Sequence, residues 1–89
     1  MSEEIFKILG KKGVIKILDC IVVKRRKYGE IENILGNPST TTRHLKILEK
    51  KGIVRREVHM EKYRPVYYYL TEKGKKIHKL VKEIQEEYE

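Results

Sequence analysis

Residues 37–52, NPSTTTRHLKILEKKG, gather side chains suited to non-covalent chemistry on a polyanion. Ser39, Thr40 and Thr42 carry short hydroxyls that both donate and accept hydrogen bonds. Arg43, one turn further on, offers a planar fork of donors that fits two neighbouring acceptors, and Lys46 adds a point charge. Thr41, Leu45 and Leu48 recur on the opposite side at helical spacing, so the segment predicts a helix with an apolar inner and a basic outer side. In a major groove, the small residues would let the backbone approach base edges and Arg43 would reach guanine O6 and N7. An ordinary capped, solvated helix would carry the same residues, and by itself the stretch leaves both readings open.

The composition narrows the choice. Lys and Arg number 21 against 13 Asp and Glu, a formal net charge of +8 over 89 residues. Nucleic acid is therefore expected before an anionic membrane. A chain this short suits one domain, 1–89, with a small core. Its longest apolar run, ILDCIVV at 17–23, is broken by Asp19 and too short for a bilayer, and the acidic start MSEEIFK is unlike a signal peptide. A cytoplasmic protein is expected. The lone Cys20 excludes an internal disulfide framework and reads as a packed thiol. His44, His59 and His78 are scattered, with no partner at metal-ligand spacing, so neither metal nor other cofactor is expected. No nucleophile, paired-carboxylate or phosphate-loop constellation assembles, which argues against an enzyme.

Around residues 37–52 the pattern predicts elements that would position them. Residues 3–12 read as a short helix with Ile5, Phe6, Ile8 and Leu9 on one side, broken by Gly10 and Gly13. Residues 14–23 follow as a helix burying Val14, Ile17, Leu18 and Ile21. KRRK at 24–27 is a basic connection, either solvated or touching phosphate, with Arg26 the candidate contact. Residues 28–36 predict a two-turn helix burying Ile31, Ile34 and Leu35 and ended by Gly36. Asn37 then caps the next helix and Pro38 is its first residue. Two short helices across a glycine-containing turn, the second basic outside, make a helix-turn-helix pattern. His44, at the edge of the buried stripe, is expected to pack more than to touch a base.

Beyond Gly52, residues 53–60 and 64–71 are rich in β-branched and aromatic residues and predict a hairpin joined by EKY. Val66, Tyr68 and Leu70 alternate inward, Tyr67 and Tyr69 outward. The tip carries Lys62, Tyr63 and Arg64, a basic wing over 59–65. Tyr63 would pack on sugar or, preferably, cover the hairpin. The tail, 72–88, repeats Ile77, Leu80, Val81, Ile84 and Tyr88 every three or four residues. Residues 72–89 carry as many Lys as Glu, which leaves the positive charge to the rest of the chain. Together with Ile5, Phe6 and Leu9 of segment 3–10, its stripe is the expected dimer interface.

The order of elements, α-α-α-α-β-β-α, is mainly α with a small β-hairpin wing (α+β), and the chain resembles winged helix-turn-helix transcriptional regulators over nearly all its length. STTTRHLKILEKKGIV is similar to the recognition helix and following strand of the ArsR family. ILGKKGVIKIL and EKKGIVRREV…YYYLTEKGKKI look equally like the HxlR family, with its GGKW-like second helix and Y-x-LT-x-x-G wing exit. The resemblance implies a helix over 38–51 in the major groove, with Ser39, Thr40, Thr42, Arg43 and Lys46 at the DNA. It implies a wing on phosphates or in the minor groove, and terminal helices that form a dimer. Metal-sensing ArsR proteins have a cysteine pair where this chain has threonines, and redox-sensing HxlR proteins use an N-terminal cysteine, whereas Cys20 lies inside a helix. No small-molecule effector is evident.

A homodimeric, sequence-specific regulator of transcription, acting as a repressor on a pseudo-palindromic double-stranded site, is the expected function. An architectural DNA-binding protein of low specificity, or a winged-helix module for protein or RNA, stays open as the alternative.

Overall fold

Two backbone signals in the middle of the chain set the architecture. Gly36 adopts φ 76°, a left-handed position open to a residue without a β-carbon, and ends one helix. Asn37 begins the next: its side chain accepts a hydrogen bond from the Thr40 N–H, and Pro38 follows at the first helical position, where no N–H is needed. In the computed structural model, which describes residues 2–89, the elements run α1 (Glu4–Leu9), α2 (Val14–Val23), β1 (Arg26–Lys27), α3 (Tyr28–Leu35), α4 (Pro38–Lys50), β2 (Val54–Val58), β3 (Val66–Leu70) and α5 (Glu72–Tyr88). It is a mainly helical fold with an antiparallel sheet in the order β1-β3-β2.

The core lies where α2, α3 and α4 meet the sheet. Val14, Ile17, Leu18 and Ile21 of α2, Ile31 of α3, Leu45 and Leu48 of α4, and Ile53, Val54, Tyr68 and Leu70 around the hairpin form one buried cluster. The α5 helix returns over it through Ile77, and Thr71 caps its start by accepting from the Gly74 N–H. Gly74 is required there: a β-carbon would collide with the carbonyl oxygen of Ile53, which α5 crosses closely.

Several expectations need correction. The KRRK run is more than a connection, because Arg26 and Lys27 pair with Tyr68 and Tyr67 as a third strand. The first helix is shorter than 3–12, ending at Leu9, and of its apolar residues only Ile8 is fully buried, while Phe6 is 68% exposed. Ile34, expected inside, is 38% exposed, because α3 turns only Ile31 squarely into the core. The hairpin strands stop at Val58 and resume at Val66, so the loop is longer than EKY. The fourth helix ends at Lys50, with Lys51 as its cap.

Candidate nucleic-acid interface

The inner side of α4 is held firmly. Thr41, Leu45 and Leu48 are buried, and the Thr41 hydroxyl donates to the Asn37 carbonyl at 2.8 Å. His44, only 6% exposed, packs inward as expected, with Nε2 2.8 Å from the Lys12 carbonyl oxygen. A carbonyl only accepts, so Nε2 carries the proton; Nδ1 has no protein partner. The turn that brings Lys12 there needs Gly13, whose φ is 96° and whose β-carbon would press on Leu35 at 2.9 Å.

The outer side of α4 presents Ser39, Arg43, Lys46 and Lys50, all exposed, with Thr40 and Thr42 half-buried. Pro38, Ser39, Thr42, Arg43 and Lys46 line a shallow concavity of about 430 Å³. A second hollow of about 360 Å³ lies beside it, where Thr42 and Lys46 face Arg56 of β2 and Tyr28 of α3. The ion pairs among the described residues use none of Arg43, Lys46, Arg56, Lys62 and Arg64, so these cations remain available to a partner. Sequence reasoning missed Tyr28, whose hydroxyl donates to the Pro38 carbonyl at 3.1 Å and lies 2.7 Å from the Thr42 hydroxyl. Nothing in the local pattern signals this link, which bridges two helices.

The wing loop is closed by backbone hydrogen bonds from His59 to Pro65 and from Arg64 to Glu61, each 2.9 Å. Lys62, Tyr63 and Arg64 all project outward. Tyr63 is 85% exposed, with the Lys62 ammonium 5.5 Å from its ring centre, so it does not cover the hairpin as expected. Tyr67 has that covered position instead: Arg25 stacks on its ring at 4.1 Å, the Lys27 ammonium lies 5.8 Å from it, and His59 meets it edge-on at 4.7 Å. Strand pairing thus joins the 24–27 run to the wing as one basic surface.

Arg26 departs from its expected place on that surface. Its Nε donates to the Cys20 carbonyl at 3.1 Å and its Nη1 to Glu30 at 3.4 Å, so the guanidinium ties α2 to α3. Side chains alternate along a strand, and at β1 this turns Arg26 inward and leaves Lys27 exposed. The Glu30 carboxyl is held below its usual range, first by the Lys27 backbone N–H and then by Arg26. Arg25 is the exposed arginine of the run.

On another face, α1 and α5 enclose an apolar groove of about 820 Å³. Ile5, Phe6, Leu9, Ile77, Leu80, Val81 and Ile84 line it; Tyr88 lies exposed beyond it. Val81 is already buried within the chain, whereas Leu80 and Ile84 are exposed. Lys51 pairs with Glu4 at 2.6 Å at the groove, and Asp19 of α2 receives His78 and Lys82 of α5 at 2.8 and 2.7 Å. Cys20, 8% exposed, faces the core, and burial pushes its thiol pKa up, with Arg26 opposing. Among the described residues no group of three or more His, Cys, Asp or Glu is placed to hold a metal ion, and no helix is long and apolar enough to cross a membrane.

Comparison with known proteins bears on these surfaces. No curated protein sequence matches the chain. The solved structures of similar fold include the reduced form of the transcriptional regulator YodB from B. subtilis, 30% identical, with a TM-score of 0.86 over 93% of this chain and 83% of that one. The oxidized redox regulator HypR is 27% identical, with a TM-score of 0.84 over 94% and 89%. A putative MarR-family regulator from Porphyromonas gingivalis W83 is 25% identical, with a TM-score of 0.80 over 93% and 83%. These relatives are regulators of transcription and not enzymes. The model of the HxlR-like helix-turn-helix family matches residues 8–89, and with that span covered the chain belongs to this family of transcriptional regulators.

Proposed function

We propose that the protein is a homodimeric repressor that binds a pseudo-palindromic site on double-stranded DNA. The observation that carries this reading is the division of α4: Thr41, His44, Leu45 and Leu48 are committed to the core, while Ser39, Arg43 and Lys46 border an open concavity, and neither Arg43 nor Lys46 enters an ion pair among the described residues. Inserted in the major groove, α4 brings the hydroxyls of Ser39, Thr40 and Thr42 to base edges and Arg43 to guanine. Lys62, Tyr63 and Arg64 of the wing, continued by Arg25 and Lys27, reach the backbone or the minor groove and supply most of the affinity by displacing counterions.

The groove between α1 and α5 favours a second copy as its occupant, because Phe6, Leu80 and Ile84 leave apolar surface in water next to a rim that carries both signs of charge, Lys73 against Glu83 and Glu87. Two copies would set their α4 helices about 34 Å apart, one turn of duplex. Repression follows from occupancy of the site. The direct test selects bound duplexes from a random pool at about 0.15 M salt and sediments the complex. A recurrent inverted repeat carrying two chains is expected. Retention without enrichment would instead identify an architectural binder, and no retention would overturn DNA binding.

A further inference from the structure

Tyr28 opens α3, with its ring packed against the core and its hydroxyl at the N-terminal end of α4. That hydroxyl has one proton and two neighbours, the Pro38 carbonyl oxygen at 3.1 Å and the Thr42 Oγ1 at 2.7 Å. The carbonyl can only accept, so the tyrosine proton goes to Pro38 and the short contact to Thr42 must be filled by the threonine proton. The reverse assignment would leave two lone-pair oxygens facing each other with no proton between them. Thr42 also borders both hollows of the outer face, so its hydroxyl lies beside the surface a ligand there would meet.

We infer that Tyr28 is a positioning residue that fixes the Thr42 hydroxyl as a hydrogen-bond acceptor, so that α4 selects an amino-bearing base, adenine or cytosine, at one position of each half-site. The inference rests on the proposed insertion of α4 in the major groove. There adenine N6 and cytosine N4 donate, whereas thymine O4, guanine O6 and guanine N7 accept. A free threonine hydroxyl would serve either kind of edge by rotating. With its proton committed to Tyr28, Thr42 accepts from an amino group and meets a keto oxygen with a lone pair. Ser39 and Thr40 have no such partner among the described side chains, which sets the Thr42 position apart.

The test is selection from a random duplex pool with the wild type, Tyr28→Phe, Thr42→Ser and Thr42→Val, with a thermal melt of each. The wild type should favour adenine or cytosine over guanine or thymine by about three- to tenfold at one position per half-site, the scale of one or two hydrogen bonds. Tyr28→Phe keeps the ring and frees the threonine proton, so keto bases should enter at that position alone. Thr42→Ser should keep the amino preference and Thr42→Val should lose discrimination there. The Thr42 pair decides the matter if Tyr28→Phe fails to fold. An unchanged preference profile in Tyr28→Phe, whatever its overall affinity, overturns the role of Tyr28. A wild type that enriches no sequence overturns the DNA reading itself, and is distinguishable because it needs no variant.

Discussion

The imidazole of His44 and the carbonyl of Lys12 lie 2.8 Å apart, linking the basic helix α4 to the turn before α2. One side chain thereby ties the helix that carries Arg43 to the turn before α2. His44→Ala removes this bond and opens a gap beside Leu35 and Gly13. A loss of about 1–3 kcal/mol is expected from an unpaired buried group and a small cavity. Denaturant unfolding of both proteins measures it, and a midpoint unchanged from wild type would mean that the link contributes nothing.

Gly74→Ala should destabilise the protein by about 1–3 kcal/mol, although alanine is the better helix former, because the added methyl collides with the Ile53 backbone. Thermal melting distinguishes the outcomes: a rise in Tm would mean that helix propensity wins and that α5 is free to shift.

The anchoring of α5 to α2 should weaken in acid. Burial pushes the Asp19 carboxyl up, but the hydrogen bonds and charges of Lys82 and His78 together hold it below the usual carboxylate value. A depressed carboxylate contributes stability above its unfolded pKa of about 4, and this is lost as pH falls through the folded value. Asp19 is half-exposed, and screening limits the effect to about 1 kcal/mol or less. Hydrogen exchange in α5 should quicken in Asp19→Asn at pH 6, and the difference from wild type should shrink as the pH falls below about 4. Equal protection at pH 6 would rule the anchor out.

Cys20 should react slowly. Its burial and raised thiol pKa keep the thiolate population low, so alkylation at pH 7.5 is expected to be at least about tenfold slower in the folded than in the urea-unfolded protein. Comparable rates would reopen a redox role of the kind named for HypR.

At the proposed operator, Arg43→Ala should cost about 1–3 kcal/mol and relax base preference, while Lys62→Ala and Arg25→Ala should weaken all duplexes alike and reduce the salt slope by about one. Arg26→Ala, by contrast, should lower Tm more than affinity, because its guanidinium is spent on Cys20 and Glu30. Filter binding over a salt series separates these cases. A salt slope unaltered by Lys62→Ala and Arg25→Ala would remove the wing and its neighbour from the contact.

What could be read from the sequence was carried by local chemistry. Gly36, Asn37 and Pro38 announce the break between α3 and α4 because backbone conformation and capping depend on near neighbours alone. The buried stripes of α2 and α4 follow from periodicity in the same way. The strand at Arg26–Lys27 has no apolar alternation to betray it and exists only because β3, some forty residues on, provides its hydrogen bonds. With it were lost the inward turn of Arg26, the stacking of Arg25 on Tyr67, and the contact of Tyr28 with Thr42. Each depends on two segments meeting in space, and the exposure of Ile34 and Tyr63 likewise depends on what tertiary packing leaves uncovered.

The position of β3 between β1 and β2 also bears on how the chain behaves in a crowded solution. Val66–Leu70, VYYYL, is the segment richest in the aromatic and β-branched residues that propagate cross-β aggregates. Both its edges are occupied, by β2 along its whole length and by Arg26 and Lys27 opposite Tyr68 and Tyr67. The outermost strands are a two-residue piece carrying two cations and a strand interrupted by Arg55, Arg56 and Glu57, which are poor templates for a foreign strand. A chain that detached β1 would uncover one edge of the aromatic strand, so this two-residue strand, of which Lys27 faces solvent and Arg26 ties α2 to α3, also shields the segment of the protein most suited to forming fibrils.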